Sequence, residues 1–359
     1  MPTLETPLQL SNVFKPKIWG RKSLAPLFTV PEGSRELMGE VWITDDESRF
    51  LNGPVAGRTL ADVAKEYGPE LHGTNWKGER FPILAKYIFT GDWLSVQVHP
   101  DDEGARFHDP GNVGKYEMWY IVHADRKAAI LLGLKPGVTR EKLRSAFEKG
   151  ISKELLNRFH PQAGETIFVP PGTVHALGPG LVLFEVEQNS DLTYRLDDFG
   201  RVGLDGKPRP LHLDKGMEVA RLELPPHRNL PRLVTREAYG TRRYTLASRH
   251  FALEELLVRR AAHFQGNPRR VEVLSILDGY GRLENAAGWL GYRTGETWLI
   301  PPGAGMYRLV PRERTRLLKF YVPNIEEDFR RPLEKRRFRA AQIKRIIFDW
   351  NLHGSDLAF

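Results

Sequence analysis

The sequence predicts a mainly β protein built from two β-barrels of one type. Turn residues separate short apolar runs along the whole chain, with 33 glycines and 26 prolines among 359 residues. This pattern is typical of strands joined by tight turns. A twelve-residue motif occurs twice, as GETIFVPPGTVH from Gly164 and as GETWLIPPGAGM from Gly295. Because a repeated strand–turn–strand unit indicates a repeated fold, we expect one barrel around each copy.

The first barrel is expected to carry a helical insertion. The strands EMWYIVHAD from Glu117 and EVLSILDGY from Glu272 are loosely similar at an offset of 155 residues, whereas the two motif copies lie 131 residues apart. The difference of 24 residues is close to the length of a helix-like stretch near 138–159. We therefore predict a first barrel with this insertion at 1–220, a second barrel at 221–325 and a basic tail at 326–359.

Composition narrows the class of protein. Hydrophobic residues make up 41% of the chain and charged residues 27%, as in ordinary globular proteins. No apolar run is long enough to span a bilayer, and the start MPTLETPLQL does not resemble a signal peptide. Cysteine is absent, which excludes disulfides and thiolate metal ligands. We expect a cytoplasmic protein without a membrane partner.

The net charge of +8 is concentrated in the tail. Eight Lys or Arg residues and one acid lie between Arg330 and Arg345, and the rest of the chain is close to neutral. A nucleic-acid-binding protein usually carries a broad basic surface. We therefore expect no nucleic-acid partner.

Two strand-like segments direct polar side chains to one face. In DWLSVQVHPDD, the two-residue period of a strand puts Leu94 with the valines on one face and Gln97 with His99 on the other. In GKYEMWYIV, the same period groups Lys115, Glu117 and Trp119. Burying an unpaired acid in such an aromatic strand is costly, and a divalent metal ion is a good partner for it.

These segments resemble cupin signatures. GETIFVPPGTVH fits the pattern G-x5-P-x-G-x2-H of the second cupin motif, and QVH is similar to the first motif, H-x-H, with glutamine in place of the first histidine. The predicted ligands are Gln97, His99, Glu117 and His175. A hydrogen-bonded core histidine and an exposed glutamine are the alternative interpretation. Met306 stands at the histidine position of the second copy, so we expect one metal ion per chain, in the first barrel.

The ligand types favour zinc. Mixed nitrogen and oxygen donors suit Zn²⁺, with iron, manganese and cobalt left open. Two histidines and one carboxylate would also suit an Fe(II) oxygenase, but the glutamine would occupy a position that oxygen chemistry needs open.

Longer segments resemble the type I phosphomannose isomerase family. They are FPILAKYIFTGDWLSVQVHPDD, GKYEMWYIV, FVPPGTVHALG and FEVEQNSDLTYRLDDFGR, with PKIWG and GEVWITD similar to its N-terminal motifs, and they span about residues 16–215. The resemblance implies a zinc-dependent interconversion of mannose 6-phosphate and fructose 6-phosphate through an enediol. It implies the same four zinc ligands and catalytic roles for Lys115, Glu185 and Arg195.

Further expectations concern protonation and the substrate phosphate. Nearby zinc should depress the pKa of Lys115 and allow it to act as a base, although a simple ion pair with a carboxylate is the alternative. Glu185 and Glu187 share a strand face, and we expect one of them to lie at the surface. Cations are needed for the phosphate, and KPKIWGRKS offers Lys15, Lys17, Arg21 and Lys22. We expect Lys15, Lys17 and Trp19 to bind the substrate, and which cation meets the phosphate is left open.

A non-catalytic cupin that binds or senses a sugar phosphate remains the alternative function. Lys115, Glu185 and Arg195 favour an enzyme, because a pure binder has no use for a base beside a metal. The tail is expected to form a helix after Pro332 whose stripe of Ile343, Ile347 and Trp350 docks on its own barrel. A homodimer contact and an acidic partner are the alternatives for the tail.

Overall fold

The computed structural model describes residues 3–348, and within this range the protein is mainly β. The strands are Leu8–Leu10 (β1), Val13–Arg21 (β2), Met38–Trp42 (β3), Ile83–Phe89 (β4), Val96–Val98 (β5), Glu117–Ala124 (β6), Ile130–Leu134 (β7), Leu156–Phe159 (β8), Thr166–Val169 (β9), His175–Leu177 (β10), Leu181–Gln188 (β11), Tyr194–Asp197 (β12), Leu233–Glu237 (β13), Gly240–Ser248 (β14), Ala252–Val258 (β15), Ala262–Gln265 (β16), Glu272–Asp278 (β17), Tyr280–Asn285 (β18), Gly288–Arg293 (β19), Thr297–Ile300 (β20), Met306–Pro311 (β21), Thr315–Tyr321 (β22) and Ile347–Phe348 (β23). The α-helices are Leu60–Tyr67 (α1), Pro69–His72 (α2), Asp102–His108 (α3), Arg140–Glu148 (α4), Leu213–Val219 (α5), Arg331–Lys335 (α6) and Ala340–Lys344 (α7).

The chain divides into two compact units with interleaved segments. The first unit contains residues 13–44 and 84–229. The second contains the described residues up to 12, residues 45–83 and the described residues from 230 onward. The domain boundaries predicted above are continuous, whereas the described chain passes between the units several times. Strand pairing explains this, because β1 joins the sheet of the second unit by pairing with β20, far along the chain.

The first unit is a two-sheet barrel. One sheet has the strand order β2-β3-β4-β11-β6-β9 and the other has the order β12-β5-β10-β7-β8. Between the sheets lies an apolar core that includes Trp19, Ile88, Trp119 and Ile130. Helices α4 and α5 contribute Leu143 and other side chains to a second cluster with β5 and β12. The predicted class, a mainly β cupin-type fold, is confirmed.

Local signals predict the start of α1 and overestimate the length of the helical insertion. Thr59 caps α1 by accepting a hydrogen bond from the backbone N–H of Asp62, as the sequence indicates. The helix-like stretch near 138–159 is helical only in part. It forms α4, a short 3₁₀ turn and then β8, which pairs with β7. Helix α4 ends before Gly150, whose φ of 67° suits glycine, and the pairing with β7 was not evident from local periodicity.

The second unit is also a two-sheet barrel, and the tail packs on it. Its larger sheet contains β1-β20-β17-β22-β15-β14-β13 with β23 beside β14, and its smaller sheet has the order β16-β21-β18-β19. The single tail helix predicted above is wrong, because Arg337 adopts a φ of 62° between α6 and α7. Ile343 and Ile347 are buried together with Phe329 and Tyr244, so the predicted docking surface is correct for these two isoleucines. Trp350 lies outside the described residues.

Burial of the tail predicts a stability defect without a catalytic one. Replacing Ile343 by alanine leaves a cavity in this cluster and should lower the free energy of unfolding by about 2–5 kcal/mol. The Michaelis constant for the expected phosphosugar should stay unchanged, because the candidate site residues lie in the first unit. Denaturant unfolding and steady-state kinetics measure both. A folded variant with a sharply higher Michaelis constant would contradict this account of the tail.

The helices of residues 3–348 are all too short, or too polar, to cross a membrane.

Candidate metal centre and active site

Strands β5 and β10 are neighbours in the five-stranded sheet of the first unit and bring three of the predicted ligands together. Gln97 on β5 pairs directly with His175 on β10, and His99 follows two residues after Gln97. The Nδ1 atom of His99 lies 2.9 Å from the carbonyl oxygen of Leu192. The Nδ1 atom of His175 lies 2.9 Å from that of Thr173. With Nδ1 held by a carbonyl, each ring carries its proton there and turns an unprotonated Nε2 into the barrel.

Glu117, at the start of β6 in the other sheet, faces both imidazoles. Its carboxylate oxygens lie 3.5 Å from Nε2 of His99 and 3.3 Å from Nε2 of His175. The residue is 0% exposed, and Lys115 Nζ lies 3.3 Å from its Oε2. Burial, followed by the charge of Glu185, raises the pKa of Glu117 to about 8. A buried carboxylate that faces two unprotonated imidazole nitrogens is costly, because all three groups are acceptors, and a cation bound among them would reduce that cost.

The histidines are in the protonation state that a metal ligand needs. Burial lowers the pKa of His175 to about 4 and also lowers the pKa of His99. Neutral imidazoles offer a lone pair at Nε2. The ligand atoms of His99, Glu117 and His175 all lie within 4.8 Å of one another, which fits one divalent ion.

Gln97 completes the set of four predicted ligands. Its Nε2 lies 3.1 Å from Nε2 of His175 and 3.5 Å from Nε2 of His99. Rotation about the terminal torsion would exchange this nitrogen for the amide oxygen without moving the backbone. The side chain can therefore present an oxygen ligand to an ion held by the other three residues.

Leu94 does not share a face with the neighbouring valines as predicted. Val96 and Val98 pack with Tyr194 in the cluster outside the five-stranded sheet of the first unit. Leu94 instead packs in the core between the two sheets. The reason is that β5 begins only at Val96. Leu94 precedes the strand and does not follow its two-residue period.

A buried group of lysines and carboxylates, here called the lysine–carboxylate cluster, adjoins Glu117. Its members are Lys86, Lys115, Glu185 and Glu187, and the exposed Asp191 lies at its edge. Lys115 Nζ lies 2.8 Å from Glu187, 3.3 Å from Glu117 and 3.5 Å from Glu185. Lys86 Nζ lies 3.1 Å from Glu185 and from Glu187, and 3.3 Å from Asp191. The two ammonium groups therefore occupy the space among these carboxylates that a second cation would need.

Burial and the charges within the lysine–carboxylate cluster shift the pKa values of its members. Burial lowers the pKa of Lys115, but Glu187, Glu185 and Glu117 outweigh this effect and raise the pKa overall. Burial raises the pKa of Glu185, yet Lys86 and Lys115 bring it below its usual value. The protein's own carboxylates thus raise the pKa of Lys115, and the ion pairs expected as the alternative are present. The lowering expected above is an effect of bound zinc and stays a prediction.

Two members of the cluster were not identified from the sequence. Glu187 was a candidate surface acid but is 0% exposed, because β11 lies between β4 and β6 within its sheet. Lys86 was not singled out. The available signal was a lysine in the middle of ILAKYIF, all seven residues of which are buried. A buried lysine requires partners, and its partners lie on β11.

Arg195 lies next to the predicted ligands. It pairs with Gln97 across β12 and β5, and directly paired residues of an antiparallel sheet project to the same face. One guanidinium nitrogen donates to the carbonyl of Pro210 at 3.0 Å, while the buried Nε has no hydrogen-bond partner. Arg195 therefore lies beside the His–Glu–His group, and its Nε–H is available to donate a hydrogen bond to a ligand.

The three predicted substrate-binding residues occupy different environments along β2. Lys15 Nζ lies 4.9 Å from the ring centroid of Trp42, and Lys17 Nζ lies 3.1 Å from a carboxylate oxygen of Glu40. Both lysines are partly exposed. Trp19 is 4% exposed and belongs to the apolar core. Packing accounts for Trp19, so its position gives no support to a contact with substrate.

The second unit treats the residue equivalent to Glu117 differently. Glu272 begins β17 as Glu117 begins β6, but Tyr307 donates a hydrogen bond to one of its oxygens at 3.0 Å. Lys319 and Arg270 donate to the other oxygen, each at 3.1 Å. Met306 is 63% exposed. Within residues 3–348, the groups of His, Asp and Glu spaced for a metal ion all lie in the first unit.

Removing the tyrosine hydroxyl tests whether this carboxylate is structural. Tyr307→Phe leaves one oxygen of Glu272 without its donor and should cost about 1–3 kcal/mol of folding free energy. Metal content should not change. Thermal unfolding and elemental analysis of the same preparation give both values, and a change in metal content would refute a purely structural role.

Comparisons with known proteins agree with this architecture. Residues 8–117 match the family model described as phosphomannose isomerase type I, catalytic domain. Mannose-6-phosphate isomerase ManA of Bacillus subtilis is 34% identical over 308 residues, which cover 84% of this chain and 95% of the relative. Mannose-6-phosphate isomerase of Streptococcus mutans is 32% identical over 299 residues, covering 82% and 92%. A crystal structure of mannose 6-phosphate isomerase from Bacillus subtilis superposes with a TM-score of 0.80 at 27% identity and covers 88% of this chain and 99% of that one.

Fold and site together define a two-barrel cupin protein with a buried His–Glu–His group suited to a metal ion. The similarity extends over nearly the whole length of the relatives. The chain belongs to the type I phosphomannose isomerase family.

Proposed function

We propose that the chain is a zinc-dependent mannose-6-phosphate isomerase that interconverts mannose 6-phosphate and fructose 6-phosphate in the cytoplasm. The observation that carries the proposal is Glu117. Its buried carboxylate lies within 3.5 Å of two unprotonated imidazole nitrogens, so that three acceptor groups face one another. Lys115 of the lysine–carboxylate cluster contacts the same carboxylate.

The proposed ligands of one zinc ion are Gln97, His99, Glu117 and His175. When bound, zinc supplies a Lewis acid that polarises the sugar oxygens on C1 and C2. His99 and His175 are held in the ligating tautomer by the carbonyl oxygens of Leu192 and Thr173. The neutral amide of Gln97 leaves the centre with a net positive charge.

Isomerisation between an aldose and a ketose moves a proton between C1 and C2 through an enediol, which needs an acid and a base. Lys115 and Glu185 are the proposed pair. Lys115 Nζ lies 3.5 Å from Glu185 Oε1, so a proton can pass between them. Trp119 donates to the other oxygen of Glu185 at 2.8 Å and fixes its orientation. Arg195, beside Gln97, is proposed to stabilise the negative charge that develops on the enediol oxygens.

The phosphate of the substrate is proposed to bind at the partly exposed end of β2. Lys15 and Lys17 lie there, and a phosphate dianion prefers several cationic donors. The two lysines and the lysine–carboxylate cluster share the inner face of one sheet, since Lys86 pairs with Trp42 and Lys15 pairs with Glu40. A phosphosugar could therefore reach from the lysines on β2 to the metal centre.

A coupled assay tests the function. The zinc-loaded protein, incubated with mannose 6-phosphate, should form fructose 6-phosphate, and in D₂O the product should carry deuterium from solvent exchange of the enediol proton. Free mannose serves as the control for the phosphate requirement. Saturable binding of mannose 6-phosphate without product would instead identify a sugar-phosphate-binding cupin.

A further inference from the structure

Trp42 occupies a central position among the lysines of the first unit, and nothing above gives it a role. It ends β3, is partly exposed, and pairs with Lys86 on β4. Its ring centroid lies 4.9 Å from Lys15 Nζ and 5.1 Å from Lys86 Nζ. Both distances fall within the range of cation–π attraction, for which tryptophan is the best aromatic partner.

Glu40 fixes the same tryptophan from its polar edge. The indole N–H of Trp42 donates to Oε2 of Glu40 at 2.7 Å. Lys17 Nζ lies 3.1 Å from the same oxygen, and Glu40 is largely buried. Trp42 and Glu40 thus connect both partly exposed lysines of β2 to one group of side chains on β3, the neighbouring strand.

We propose that Trp42 is a positioning residue for the phosphate group of the substrate. Its ring holds the Lys15 ammonium group near the buried Lys86. Its hydrogen bond to Glu40 orients the carboxylate that pairs with Lys17. This inference rests on the proposed function, since it supposes that Lys15 and Lys17 meet a phosphate. A flexible lysine side chain loses considerable conformational entropy when it binds a ligand, and holding it in place beforehand removes part of that cost.

Removing the ring of Trp42 should weaken substrate binding more than it slows catalysis. Lys86 keeps three carboxylate contacts when the ring is removed, so the lysine–carboxylate cluster should stay in place. Lys15 loses its contact with the ring and should be held less firmly in position. Trp42→Leu should therefore raise the Michaelis constant about tenfold, equivalent to about 1.4 kcal/mol, with kcat changed less than threefold.

The control variant is Trp289→Leu. Trp289 lies in the second unit, is 62% exposed and has Arg282 5.4 Å from its ring centroid. The substitution removes the same side chain and a comparable cation–π contact elsewhere in the protein, and it should leave both kinetic constants unchanged. Trp42→Phe retains an aromatic face but no N–H donor, so it separates the ring contact from the hydrogen bond to Glu40.

The deciding experiment is calorimetric titration of the full chain with inorganic phosphate. Weaker phosphate binding in Trp42→Leu, with wild-type binding in Trp289→Leu, is the expected result. In the double variant with Lys15→Met, the losses should be less than additive, because the ring acts through that lysine. Equal phosphate affinity in Trp42→Leu and wild type, additive losses, or no phosphate binding by the wild type would overturn the inference.

The titration and the kinetics together distinguish failure of the proposed function from failure of the inference about Trp42. If the wild type does not convert mannose 6-phosphate, the proposed function fails, while the phosphate titration still decides the role of Trp42. If the wild type is active and Trp42→Leu lowers kcat with an unchanged Michaelis constant, the tryptophan has a general structural role and the positioning inference is wrong.

Discussion

Replacing His175 by alanine is expected to remove the bound metal and to reduce isomerase turnover to background. His175 Nε2 lies 3.3 Å from Glu117 and 3.1 Å from Gln97. Its loss removes one of the four proposed ligands, and the remaining three should bind a cation more weakly. Elemental analysis after dialysis, together with the coupled assay, measures the effect.

A buried histidine outside the centre provides the control. His72 in the second unit is also buried, its Nδ1 lies 3.1 Å from a backbone carbonyl oxygen, and burial lowers its pKa. His72→Ala should reduce stability by a similar amount but keep the metal and the turnover. Full metal content in His175→Ala would show that the ligand set is wrong.

Lys115→Met is expected to lower turnover by a factor on the order of 10²–10⁴, the usual contribution of a general acid or base. Methionine keeps the length of the side chain and removes its charge. Zinc content should remain intact, because the four proposed ligands are unchanged. Arg195→Ala should also lower kcat/KM, with a larger effect on the transition state than on ground-state binding.

Loss of any buried lysine leaves carboxylates unpaired and destabilises the protein, so a matched variant is needed. Lys319 in the second unit is buried and lies 3.1 Å from Glu272. Lys319→Met should cost comparable stability and leave turnover unchanged. If Lys115→Met keeps most of the activity in folded protein, proton transfer must be assigned to Glu185 or Glu187.

The proximity of the four proposed ligands was the most predictable part of the site, because its signals are local. The spacing from Gln97 to His99 and the turn before His175 lie within short segments, and the two-residue strand period placed Glu117 correctly. Those four residues share one cluster in the structure. Local periodicity failed for Leu94, which lies just before the strand begins.

The lysine–carboxylate cluster was less predictable, because it depends on which strands become neighbours. Lys86 meets Glu185 and Glu187 only because β4 and β11 are adjacent in the sheet, although about a hundred residues separate them. Without that pairing, Glu187 could not be distinguished from a surface acid. The raised pKa of Lys115 depends on its carboxylate neighbours on β11, which pairs with β6 on its other edge.

The tail shows a different limit. Apolar spacing identified Ile343 and Ile347 as buried, yet it predicted one continuous helix. The left-handed conformation of Arg337 and the pairing of β23 with β14 interrupt that helix. Packing on the second barrel selects these features, and they carry no local sequence signature.

Zinc titration of the metal-free protein tests the central claim most directly. The protein is stripped with a chelator, zinc is returned in steps, and conversion of mannose 6-phosphate is measured at each step. The account predicts no turnover without metal and a linear rise that levels off at one zinc per chain. Turnover that persists in the stripped protein, or a rise that continues to two zinc ions per chain, would contradict it.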